Sequence, residues 1–140
     1  MRALPALLVA WLALAASALA GGPALATGET PPAPRIEMVM YEQVGCYYCK
    51  RWHDEVGPAY PRTAEGQFAP LRPVWKHEPL PDDLSLDGRL IFTPTFVLTV
   101  DGEEVWRLEG YNGDQFFWPL INAALTEHTR FGTVEEEDAE

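Results

Sequence analysis

Cys46 and Cys49 are the only cysteines in the 140 residues, spaced as Cys46-Tyr47-Tyr48-Cys49. A Cys-x-x-Cys pair can exchange electrons as a dithiol and disulfide, hold a soft metal, or form a plain cross-link. A bridge over two intervening residues closes so short a loop that it constrains little of the unfolded chain. A structural zinc site wants four ligands; there is no second cysteine pair, and His53, His77 and His128 are scattered. A c-type haem needs a histidine after the second cysteine, where Lys50 stands. Redox exchange is the leading reading, with a structural disulfide and zinc as the alternatives.

The elements around the pair support that chemistry. Ile36 to Val44 is apolar on both faces through Met38-Val39-Met40-Tyr41, as a central strand buried on both sides would be. Gly45 breaks it and Cys46 opens a helical pattern. Cys49, Trp52, His53 and Val56 share an apolar face, with Lys50, Arg51, Asp54 and Glu55 opposite. Cys46 therefore falls at the first turn, where unpaired N–H groups and the helix dipole favour a thiolate. Such placement lowers a cysteine pKa from about 8.5 to as little as ~3.5–7.5. Cys46 is the expected nucleophile, and Cys49, one turn on, resolves the mixed disulfide.

After Gly57-Pro58 ends this helix, a polar connection is expected through Tyr60 to Gly66. Val74 to His77 reads as a short strand that Pro73 can only start, and Asp82 or Asp83 as the cap of a short helix towards Leu90. Thr95–Val100, Asp101-Gly102 and Glu103–Glu109 form the clearest hairpin. A last amphipathic helix carries Phe117, Leu120, Ile121 and Ala124, with a kink or a start later than Asp114 expected from Pro119. The order predicts an α/β fold: a mixed four-stranded sheet with helices on both faces.

Regions outside the domain are recognisable by composition. Residues 1–20 read as a signal peptide: Arg2, a 16-residue apolar run from Leu4 to Leu19, and small residues at Ala18-Leu19-Ala20. Ala24-Leu25-Ala26 is a second cleavage site, and a retained anchor is the alternative, although a span needs roughly 20 apolar residues. Residues 21–34 hold four prolines and three glycines, a linker; 35–130 form the domain; 131–140 are a solvated acidic tail. A net charge of −11 makes nucleic acid and anionic membrane surfaces poor partners.

Strand, Cys-x-x-Cys, helix, Thr93-Pro94-Thr95, Asp-Gly hairpin, Gly110 and terminal helix together resemble the thioredoxin superfamily, over about Arg35 to Thr129. The resemblance implies a cis Thr93–Pro94 bond, Pro94 packed beside the disulfide, and Thr93 offering backbone hydrogen bonds to a partner. Thr93 and Pro94 would then form the substrate wall opposite Cys46, with Tyr47 and Tyr48 completing the substrate-binding set. The chain departs from ordinary thioredoxins in Gly45, where the family has Trp, and in Tyr47-Tyr48, where it has Gly-Pro. Met40 stands where the family keeps a buried acid, so Cys49 must lose its proton with other help. Glu42 and His53 are the candidates, although for His53 a packed core-edge residue is the safer reading.

Within the superfamily, Tyr60-Pro61, Glu65-Gly66, Ala69-Pro70, Phe92 to Leu98, Arg107 to Tyr111 and Phe116 to Pro119 resemble periplasmic thioredoxins of bacterial sulfur-oxidation systems. Phe116, Phe117 and Trp118 are then expected to pack rather than to dock a partner. That resemblance implies a monomeric periplasmic reductant with no cofactor and no metal. Its substrate would be a protein disulfide or cysteine adduct on a sulfur-carrier protein, and its electron donor a membrane thiol transporter of the CcdA type. A general oxidase or isomerase, and a Cu(I) metallochaperone using both cysteines, are the competing readings.

Overall fold

The computed structural model describes residues 32–133. The expected signal segment, residues 21–31 of the linker and residues 134–140 of the tail lie outside the described residues. The elements run β1 (Ile36–Glu42), α1 (Tyr47–Glu55), a 3-10 turn (Tyr60–Arg62), α2 (Ala64–Phe68), β2 (Leu71–Trp75), β3 (Thr95–Val100), β4 (Glu103–Glu109) and α3 (Asp114–His128). The strands form one sheet in the order β2-β1-β3-β4, β2 parallel to β1 and the other pairs antiparallel. The α/β class and the mixed four-stranded sheet hold.

Side chains alternate along each strand, so β1 and β3 each supply two cores. Met38, Met40, Phe96 and Leu98 meet Cys49, Trp52 and Val56 from α1 and Phe117, Ile121, Ala124 and Leu125 from α3. Phe117 is the hub: its ring centroid lies 5.0 Å from Phe96, 5.7 Å from Trp52 and 6.3 Å from Tyr60. Val39, Val74 and Val97 on the opposite face are covered by Leu84, with Leu86 and Leu90 packed against them.

The second face is therefore covered by chain that is not helical, and the expected helix from Asp82 or Asp83 does not form. Asp83 is drawn onto Arg72 at 2.8 and 2.9 Å and onto Arg35 at 2.9 Å. Ser85 instead bridges to the hairpin, its N–H donating to the Gly102 carbonyl and its carbonyl accepting from Glu104, both at 2.9 Å. A backbone already bonded to the sheet edge cannot close helical turns. The two guanidinium partners hold the Asp83 carboxyl well below the usual carboxylate range, Arg72 contributing most.

Four other expectations shift. β2 begins at Leu71 and carries Pro73 inside it, paired with Met40; β2 is an edge strand, where a missing N–H is tolerated. The polar connection contains α2, whose N-cap Thr63 accepts from the Gly66 N–H at 3.1 Å. Gly66 is required there, since a Cβ would stand 1.8 Å from the Tyr60 carbonyl oxygen. α3 begins at Asp114 despite Pro119, because its buried face of Phe117, Ile121, Ala124 and Leu125 outweighs one lost N–H near the helix start. Leu120, expected on that face, is exposed.

Candidate active site

β1 delivers the chain to the cysteines through Gly45, whose φ of +78° lies in the left-handed region that glycine enters without cost. Cys46 then caps α1 from an extended conformation. Its Sγ accepts the Cys49 N–H at 3.1 Å, and its carbonyl accepts the first helical N–H, from Lys50, at 3.0 Å. No acidic residue sits in the first turn, so the positive end of the helix faces the sulfur unopposed. The two cysteines are disulfide-bonded with Cα atoms 5.2 Å apart. Cys46 is partly exposed, and Cys49 is only 3% exposed beneath it.

The loop before β3 brings Thr93 to the pair. The Thr93 carbonyl oxygen lies 3.4 Å from Cys46 Sγ, and in the reduced protein it can accept a hydrogen bond from the Cys46 thiol. The Thr93–Pro94 bond is cis and Pro94 is buried. The loop is held by the Gly110 N–H donating to the Pro94 carbonyl at 2.8 Å and by Thr95 Oγ1 donating to the Phe92 carbonyl at 2.9 Å. Thr93 thus comes to the cysteine pair, with Pro94 buried next to it in the chain.

Tyr47 and Tyr48 are 72% and 51% exposed, their rings edge to face with centroids 5.3 Å apart. Tyr48 also lines a 440 Å³ groove with Phe92, Thr93, Glu109 and Gly110. Phe92 and Glu109 are not among the expected site residues, although both lie in segments that carry the family resemblance. Behind the first turn, Tyr111 Oη donates to Glu55 at 2.7 Å, tying α1 to the Gly110 turn. That hydrogen bond, helped by Arg51, lowers the Glu55 carboxyl, while burial first and Glu55 second push the Tyr111 phenol up.

On the other side of the cysteines is a 320 Å³ cleft lined by Glu42, Gln43, Val44, Gly45, Cys46, Cys49, Lys50, His53 and Trp75. Glu42 is 3% exposed, and its carboxylate meets His53 Nε2 at 2.7 Å. His53 itself is an exposed residue at the rim of α1, not a packed core-edge one, because Cys49, Trp52 and Val56 fill the buried stripe. Among the described residues no three His, Cys, Asp or Glu side chains gather as a metal site would need. Of the aromatic trio in α3, Phe117 is buried and Trp118 stacks on Tyr60, whereas Phe116 is exposed and does not pack as expected.

No protein-family model matches the chain, and no curated protein is similar enough to count as a relative. Among solved structures, the reduced periplasmic thioredoxin SoxS from Paracoccus pantotrophus is 44% identical, with a TM-score of 0.64 over 66% of this chain and 97% of that one. A thioredoxin from Malassezia sympodialis, Mala s 13, is 16% identical over 69% of this chain and 76% of its own, with a TM-score of 0.43, too distant to carry weight. Identity of 44% across nearly the whole of a thioredoxin settles the kinship: the chain belongs to the thioredoxin superfamily and is a thiol-disulfide oxidoreductase.

Proposed function

We propose that this chain is a periplasmic reductant of a protein disulfide or cysteine adduct, acting on a sulfur-oxidation carrier protein. The observation that carries the reading is the 44% identity to a periplasmic thioredoxin of which the chain covers 97%. The N-terminal segment, read from its composition as a signal peptide, fits the same compartment.

In this reading the Cys46 thiolate attacks the partner's disulfide sulfur, forming a Cys46–partner bond and releasing the partner's other sulfur as a thiol. Cys49 then attacks Cys46 Sγ, the partner leaves as a second thiol, and the Cys46–Cys49 disulfide closes. The two electrons gained by the partner are those lost by the dithiol. Thr93 presents its backbone to the incoming segment, Pro94 backs it, and Tyr47 and Tyr48 border its path. A membrane thiol transporter of the CcdA type would return two electrons to the disulfide.

Trapping tests the assignment. The Cys49→Ser protein, expressed with its secretion signal, should accumulate a mixed disulfide through Cys46, released by reductant and identified by mass spectrometry. A sulfur-carrier protein among the trapped species supports the proposal. Trapping of many unrelated secreted proteins without it, together with a strongly oxidising reduction potential, favours an oxidase or isomerase and sinks it.

A further inference from the structure

A carboxylate removed from water is costly unless something compensates it. Glu42 is such a group: 3% exposed at the end of β1, with His53 Nε2 as its side-chain partner at 2.7 Å. Among the described residues no lysine or arginine is bonded to it. Lys50 lines the same cleft, but its Nζ is held by Asp54 at 2.5 Å. Lys76 donates its backbone N–H to the Glu42 carbonyl at 2.8 Å, while its Nζ is turned to the Ile91 carbonyl at 3.2 Å. Trp75, the remaining wall from β2, carries no charge.

The location gives the pair a use. Glu42 and His53 line the cleft onto which Cys46 and Cys49 also open, and its 320 Å³ has room for solvent. The His53 ring lies at a steep angle to Trp52, 5.2 Å between centroids, and its side chain is 45% exposed. One end of the pair is therefore buried beside the cysteines, and the other reaches bulk water.

We infer that the Glu42–His53 pair is the proton acceptor for Cys49 during resolution. The inference rests on the dithiol reading proposed above. As the Cys49 sulfur bonds to Cys46 Sγ, the Cys46–partner bond breaks and its electron pair leaves with the partner's sulfur. The Cys49 proton crosses the cleft to the carboxylate–imidazole pair and leaves to solvent from the exposed imidazole, and the partner thiolate takes up a proton from water.

The test uses the reduced full chain and a substoichiometric aromatic disulfide, dithiobisnitrobenzoate, whose released thiolate is coloured. The first release reports attack by Cys46, and the second reports resolution by Cys49. Glu42→Gln keeps the buried shape, and His53→Gln keeps a donor to Glu42, so both retain a purely structural contact. Each variant is expected to slow the second release by about tenfold or more while leaving the first unchanged. Each is also expected to change the pH profile of the second release while leaving that of the first as in the wild type. A second release with wild-type rate and pH profile in both variants overturns the assignment, as does equal slowing of both releases. A wild-type protein that releases one thiolate only overturns the dithiol reading itself, and this assignment with it.

Discussion

The backbone N–H of Cys49 donates to the Sγ of Cys46 at 3.1 Å, so the two cysteines are unequal before any partner arrives. One sulfur is partly exposed and supported by the helix terminus; the other belongs to a residue 3% exposed beneath it. In the reduced protein at neutral pH, a limiting amount of iodoacetamide should alkylate Cys46 well before Cys49, as read by peptide mass spectrometry. Cys46→Ser should abolish disulfide reduction. Equal labelling of both cysteines would contradict the assigned roles.

The groove beside Thr93 should matter to large substrates and not to small ones. Phe92 is 58% exposed, and with Tyr48 it forms the apolar wall of the groove. Phe92→Ala is expected to weaken binding of a protein disulfide by about 1–2 kcal/mol, seen as a higher KM with kcat retained. The rate with a small aromatic disulfide should not change. Loss of both activities together would point to a disturbed loop instead.

The two neighbouring phenylalanines of α3 should respond oppositely to truncation. Phe117 is 1% exposed against Trp52, Tyr60 and Phe96, and Phe117→Ala should cost about 3–5 kcal/mol. Phe116 is 57% exposed, and Phe116→Ala should stay within about 0.5 kcal/mol. Denaturant midpoints at constant slope measure both.

Acid should loosen the face that lacks a helix. Hydrogen bonds from Arg72 and then Arg35 depress the Asp83 carboxyl in the folded protein. A depressed carboxyl contributes stability that is present above its unfolded pKa of about 3.9 and is lost as pH falls through the folded value. Asp83→Asn should therefore lower Tm at neutral pH and shrink the fall in Tm below about pH 4. A variant whose Tm tracks the wild type at every pH would show that the pair contributes nothing measurable, as many exposed ion pairs do.

Much of the site could be read along the chain because its determinants are local. Cys46 and Cys49 share one helical turn, Gly45 supplies the turn into it, and the Asp101-Gly102 hairpin places β3 and β4 side by side. Glu42 and His53 stood out as polar residues near the pair, but nothing in their spacing said that one would be buried against the other. That depends on the parity of β1, which points Glu42 to the same face as Met38 and Met40, and on the docking of α1 over that face. The segment from Asp82 to Leu90 misled for a related reason. Its capping residues suit a helix, yet Arg72 and Arg35 from other parts of the chain claim Asp83, and the hairpin claims Ser85.

By itself the sequence determined the redox pair and the α/β class, the first from two residues one helical turn apart and the second from the order of locally specified elements. Tertiary structure alone decided that Thr93 meets Cys46 across 47 positions, that Phe92 and Glu109 share a groove, and that Glu42 pairs with His53. Those contacts join elements distant in sequence, and their geometry is set by sheet register and helix docking rather than by local preference.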